Sequence, residues 1–144
     1  MKQVIVLAAV LPLLLVFFLQ FACEQQSSSN IAMLSDIVYA AKEEARQQGC
    51  FTESIKNKMT ETICAKLGVN AADVTVEATD RVKYRINSAD GMSDEEIERG
   101  MIYYKVTAPV GKLMAGRSLF GLKDEDNVYY YTVEGRAASE RLRQ

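Results

Sequence analysis

The sequence predicts an α+β fold in which a long N-terminal helix, apolar in its first half and amphipathic in its second, carries a small head. The head is expected to hold a second helix and a roughly four-stranded antiparallel sheet. Three patterns predict this fold. No charged residue occurs from Gln3 to Cys23. Apolar residues then recur at helical spacing up to Gly49, and short runs of alternating apolar and polar residues follow Gly68. We therefore divide the chain into an apolar half-helix (1–23), its amphipathic continuation (24–49) and a globular head (50–144).

The uncharged run is long enough to cross a membrane. As a helix rising about 1.5 Å per residue it spans roughly 30 Å, the thickness of the hydrocarbon layer. Lys2 precedes the run and Glu24 follows it, which favours an inserted segment with its N-terminus inside and the bulk of the chain outside. The run ends without the small-x-small site of a cleaved signal peptide. Ala22 and Cys23 leave lipid attachment at Cys23 open as an alternative, although Gln20 and Phe21 are poor lipobox residues.

The second half of the helix is one-sided. Polar residues occupy most of the other positions, and neither proline nor glycine occurs between Pro12 and Gly49. A single helix of about 48 residues, roughly 70 Å long, is therefore expected, with Gly49 as its stop signal. The residues expected to pack against the head are Ile31, Leu34, Val38, Ala41 and Ala45.

The head begins with a second helix. Thr52 is a candidate N-cap and Gly68 a candidate C-terminal stop, and apolar residues recur at helical spacing between them. Four alternating runs follow and are predicted to be strands with one wet face each, for which the amphipathic half of the long helix is the expected cover. These runs lie at 74–78, 82–86, 102–106 and 128–133.

Composition restricts the function. The chain has no histidine and a mixed surface charge with a formal net charge of −2, so nucleic-acid binding is not expected. No convergent catalytic site, metal site or cofactor motif is found, and the protein is predicted not to be an enzyme. Acidic residues cluster at Asp90–Glu98 and Asp124–Asp126, where solvated loops are favoured over calcium sites. Ser93 is expected to open a short helical turn within the first cluster.

Cys50 and Cys64 are a possible disulfide pair. Outside the cell such a bridge would close a loop of about 15 residues. A continuous helix from Thr52 to Leu67 would instead hold the two residues about 20 Å apart, beyond the reach of a disulfide. Free thiols are the favoured state, and Cys23 is expected to pack as a small apolar residue at the membrane edge.

Several stretches resemble the type IV pilin superfamily, and within it the TadE-like pilins. They are AAVLPLLLVFFLQF followed by AAKEEARQQG in the long helix, and YYKVTAPVGKLM followed by YYYTVEGRAASER near the C-terminus. Pro12 stands at the depth where the family has a proline. The family carries a glutamate seven positions earlier, where this chain has Ile5. If Met1 is the residue left after removal of a leader, Ile5 is the fifth mature residue.

The resemblance implies a structural subunit of an extracellular filament. The helix would sit in the cytoplasmic membrane until pilus assembly machinery extracts it, and many copies would then bundle their apolar halves into a helical homo-oligomer. The alternative is a membrane-anchored or lipidated envelope protein with a small extracytoplasmic binding domain. The residues expected to pack in the filament core are Val4, Ile5, Ala8, Leu11, Pro12, Leu15 and Phe18.

Overall fold

The computed structural model describes residues 2–86, 93–115 and 127–143. It confirms an α+β fold with a long N-terminal helix, a second helix and an antiparallel sheet. The elements in chain order are α1 (Lys2–Gln48), α2 (Glu53–Leu67), a 3-10 turn (Ala71–Asp73), β1 (Thr75–Ala78), α3 (Asp94–Glu98), β2 (Met101–Gly111) and β3 (Tyr129–Ala138).

α1 is one helix of 47 residues that includes Pro12. The three consecutive serines Ser27, Ser28 and Ser29 do not interrupt the helix. The Ser27 hydroxyl donates a hydrogen bond of 3.0 Å to the Cys23 carbonyl one turn earlier. The helix ends at Gly49, as predicted. Gly49 has a φ of +83°, a left-handed conformation that glycine adopts without steric cost.

Both predicted caps of α2 are present. The Thr52 hydroxyl accepts a hydrogen bond from the Ile55 amide, which is otherwise unpaired in the first turn. Gly68 takes the left-handed conformation and its N–H donates to the Cys64 carbonyl. α2 therefore runs without a break through its 15 residues and buries Ile55, Met59 and Ile63.

The sheet has the order β1-β2-β3 with antiparallel pairing throughout. In the inner row, Val76 is opposite Val106, which is opposite Val133. The inner face packs on α1 and α2, which form the second layer. The buried core consists of Leu34, Val38, Ala41, Ala45, Phe51, Ile55, Met59, Ile63, Ile102, Val106, Ala108 and Val110.

The prediction of a strand at 82–86 is wrong, and the described residues form three strands rather than four. The backbone there bonds to groups outside the sheet. The Lys83 N–H donates to the Gly49 carbonyl at 2.8 Å, and the Arg85 N–H donates to the Arg141 carbonyl at 2.7 Å. The segment thus lies between the end of α1 and the C-terminal tail, where the Lys83 and Arg85 N–H groups are satisfied without a neighbouring strand.

Candidate functional site: the exposed stem and its junction with the head

The first part of α1, Gln3–Leu19, stands free of the head, and we call it the stem. All its large apolar side chains except Val16 are exposed, with Ile5 at 69% and Leu13 at 72% of their full accessible surface. By length and composition α1 could cross a membrane, and none of its most apolar 18-residue window is buried within the protein. All seven residues predicted for a filament core lie on the stem and are exposed: Val4, Ile5, Ala8, Leu11, Pro12, Leu15 and Phe18.

The second half of α1 is the central support of the head. Leu34 and Ala45 have no exposed surface, and Val38 and Ala41 retain 1% and 8%. Ile31 is partly buried against the same core. The structure therefore brings together the five residues expected to pack against the head. A single helix is exposed on all sides at one end and buried along one face at the other.

The segment after β2, Lys112–Ala115, is the part of the head that contacts α1 nearest to the stem, and we call it the junction loop. The side-chain amide of Gln20 bonds to it twice: its nitrogen donates to the Leu113 carbonyl at 3.4 Å, and its oxygen accepts from the Ala115 N–H at 3.0 Å. Asn127, 3% exposed, accepts from the Met114 N–H at 2.8 Å and donates to the Met114 carbonyl at 2.9 Å. Two amide side chains thus satisfy four backbone groups of the loop.

The end of β2 also lies close to α1. Asn30 donates a hydrogen bond of 2.7 Å to the Val110 carbonyl. A Cβ atom on Gly111 would overlap the Ser27 hydroxyl and come within 3.0 Å of the Ser27 Cβ, so only glycine allows this approach.

The polar residues of α1 in these contacts were not recognised from the sequence. From the sequence, Gln20 is interpreted only as a poor lipobox residue, and neither Ser27 nor Asn30 is among the residues expected to pack against the head. The sequence did contain an indication that these residues face the head. Gln20, Ser27 and Asn30 are separated by seven and then three positions, a helical spacing that places them on the same face of α1 as the buried residue Leu34.

All three cysteines are free thiols in the structure. Cys50 lies in the connection after α1 and is 4% exposed, whereas Cys64 lies in α2 and is partly exposed. Cys50 precedes the first turn of α2 and Cys64 begins its last turn, and the helix rises about 16 Å over the eleven steps from Glu53 to Cys64. This separation disfavours a bridge, and both residues are free thiols. Cys23 is partly buried, facing the junction loop.

One ion pair and one backbone hydrogen bond connect Glu140 of the C-terminal tail to Arg46 near the end of α1. Arg46 pairs with Glu43 at 2.9 Å and with Glu140 of the tail, and the Glu140 N–H donates to the Arg46 carbonyl. Hydrogen bonding to Lys42 lowers the pKa of the Glu43 carboxyl from its usual value, partial desolvation opposes this shift, and Arg46 adds to it.

The outer face of the sheet is polar and open. The Thr107 and Thr132 hydroxyls hydrogen-bond across the strands at 2.8 Å. The Tyr103 hydroxyl donates to Glu98 at 2.7 Å, and this bond to a carboxylate raises the pKa of Tyr103. A shallow groove of about 590 Å³ crosses this face beside Tyr103 and Glu134.

No group of three metal-ligating side chains occurs within residues 2–86, 93–115 and 127–143. The short helical turn predicted after Ser93 is present as α3. The acidic residues Asp90 and Asp124–Asp126 lie outside the described residues.

No family model matches the chain, and neither a curated protein nor a solved structure matches it. The pilin resemblance is therefore a prediction that depends on the residues of this chain.

Proposed function

We propose that the protein is a structural subunit of an extracellular filament resembling a type IV pilus of the Tad type. The observation that supports this proposal best is the division of α1, whose stem is exposed while the rest of the same helix forms the core of the head. Such a helix needs an apolar environment that its own head does not provide. In a filament, the stems of neighbouring copies provide it.

The stem must be covered at every stage. Removal of apolar surface from water contributes about 25 cal/mol per Å², so an exposed stem of this length is strongly unfavourable in water. We propose that lipid of the cytoplasmic membrane covers it first, and that assembly machinery then transfers it into a bundle of stems. In an apolar environment, helices associate mainly by close packing, and small residues let their backbones approach each other. Ala8 and Ala9 are such small residues in the stem.

The heads would form the outer coat of the filament. Contact between different surfaces of identical copies does not close on itself, so it generates a growing helical polymer. The proposed activity is assembly rather than catalysis, and neither a cofactor nor a nucleic-acid partner is part of the proposal.

The alternative is a membrane-anchored or lipidated envelope protein whose head binds a ligand outside the membrane. The open polar face of the sheet favours it as a second candidate. The intact mass of the native protein separates the two. A chain that begins at a lipidated Cys23 lacks the stem and contradicts the pilin proposal, whereas a methylated N-terminal residue supports it.

Filament formation is tested by substituting a small residue of the stem. Ala8→Phe keeps the stem apolar but blocks close helix packing, whereas Leu14→Phe exchanges one large exposed residue for another. We expect both variants to reach the membrane, Leu14→Phe to appear in filaments sheared from cells, and Ala8→Phe to be reduced there at least tenfold. Quantitative immunoblots of the sheared and membrane fractions measure this.

Two results would count against the filament. The first is a wild-type protein found wholly in the membrane fraction, with no filament containing it, which would favour the anchor. The second is an equal yield of both variants in sheared filaments, which would show that the stems do not pack closely.

A further inference from the structure

We propose that the junction loop, Lys112–Ala115, lies in the membrane interface when the stem is inserted, and that it fixes how closely the head sits on the bilayer. The partner is the lipid surface itself, at the boundary between the acyl chains and the headgroups. This inference depends on insertion of the stem, which the filament subunit shares with the helix-anchored form of the alternative but not with its lipidated form, and it does not depend on filament formation.

The position of the loop along α1 follows from its hydrogen bonds to Gln20. From Gln3 to Leu19 the stem rises about 26 Å, which is less than the roughly 30 Å of a hydrocarbon layer. The inserted segment must therefore extend a few residues beyond Leu19, to Phe21, which is 57% exposed. Because Gln20 bonds directly to Leu113 and Ala115, the junction loop is level with the edge of the hydrocarbon layer.

The side chains at this level suit a lipid interface. Leu113 is 55% exposed and Met114 is 38% exposed. Lys112 precedes them, and a lysine can bury its methylene groups in an apolar layer while its amine reaches the phosphates. A cleft of about 410 Å³ separates the loop from Leu19 and Cys23 of α1 and is open enough to admit acyl chain segments. The apolar surface of the stem thus continues onto the head.

The backbone of the loop is prepared for an environment with little water. An irregular segment that enters an apolar layer must have its amide and carbonyl groups satisfied by protein, since no water is present there to bond with them. Gln20 and Asn127 do this for the Leu113 carbonyl, both backbone groups of Met114 and the Ala115 N–H. This accounts for a glutamine within an otherwise apolar run.

The chain contains no tryptophan, so a single introduced tryptophan reports on its own surroundings. Met114→Trp tests the loop. Val82→Trp is the matched control, because Val82 is 39% exposed and lies beside Gly49, about 43 Å farther along α1 than Gln20. Phe18→Trp reports insertion of the stem. Each full-length variant is reconstituted in phosphatidylcholine vesicles with and without lipids that carry bromine on the upper part of the acyl chains.

We expect bromine to quench the emission of Met114→Trp and Phe18→Trp by at least twofold and to leave Val82→Trp unchanged. The emission of Met114→Trp should also lie at shorter wavelength than that of Val82→Trp. Leu113→Trp, at a site 55% exposed, repeats the measurement at a second position of the loop. Far-UV circular dichroism identifies any variant that fails to fold.

The outcomes separate the inference from its premise. If Phe18→Trp is quenched but both loop variants behave like Val82→Trp, the stem is inserted and the interfacial loop is refuted. If Phe18→Trp is not quenched, membrane insertion fails, and both the interfacial loop and the proposed path to the filament fail with it.

Discussion

Gly111 shows at the scale of one residue how closely the head approaches α1. In Gly111→Ala, the new methyl group would overlap the Ser27 hydroxyl, and the end of β2 would have to move away from the helix. Overpacking of this kind costs about 1–3 kcal/mol, and we expect the free energy of unfolding to fall by that amount. Urea denaturation in a mild detergent, followed by circular dichroism, measures the change.

The control is the double variant Gly111→Ala with Ser27→Ala. The Ser27 hydroxyl bonds to the carbonyl one turn earlier in its own helix, so Ser27→Ala alone should be close to neutral. Removing the hydroxyl relieves most of the overlap, and the double variant should recover part of the lost stability. A double variant no more stable than Gly111→Ala would show that strain at Ser27 is not the cause.

At the scale of one element, the continuity of α2 determines the state of two cysteines. The unbroken helix holds Cys64 too far from Cys50 for a bridge, and Cys64 is the more exposed thiol. We expect peptide mapping without reductant to recover both as free thiols. Iodoacetamide should alkylate Cys64 faster than Cys50, by at least tenfold, in time-resolved mass spectrometry. A linked Cys50–Cys64 peptide would mean that α2 is interrupted before its last turn.

Local signals were sufficient to predict the helices, but they were not sufficient to decide whether the extended segment 82–86 joins the sheet. The stop at Gly49 and the caps Thr52 and Gly68 act within one turn of their own element, so the sequence alone contains them. Alternation at 82–86 indicates only an extended backbone. Whether such a backbone pairs with a strand or with Gly49 and the tail depends on the tertiary arrangement, which periodicity does not encode.

At the scale of the whole molecule, the candidate site was predictable in one part and missed in another. The stem is evident from composition, because a long uncharged run needs an apolar environment wherever it lies. The contact between α1 and the junction loop is not evident from composition, because the role of a polar residue such as Gln20 can be recognised only once the loop to which it bonds is known. Leu113 and Ala115 are more than 90 residues away along the chain, and nothing in one sequence indicates that they meet.

The head and the second half of α1 should behave as one folding unit. A chain that begins at Gln20 lacks the stem but keeps the junction contacts and the whole buried face of α1. We expect it to be soluble and monomeric in sedimentation and to unfold in one cooperative thermal transition.

A chain that begins at Cys50 loses the four core side chains of α1 and exposes the inner face of the sheet. Loss of a buried Leu side chain lowers the free energy of unfolding by about 2–5 kcal/mol, and loss of a smaller side chain lowers it by less. This shorter chain should lack a cooperative transition, since small domains have only about 5–15 kcal/mol of stability. If both chains unfolded at the same temperature, the head would be independent of α1, and the helix would be only a tether rather than the element that joins the stem rigidly to the head.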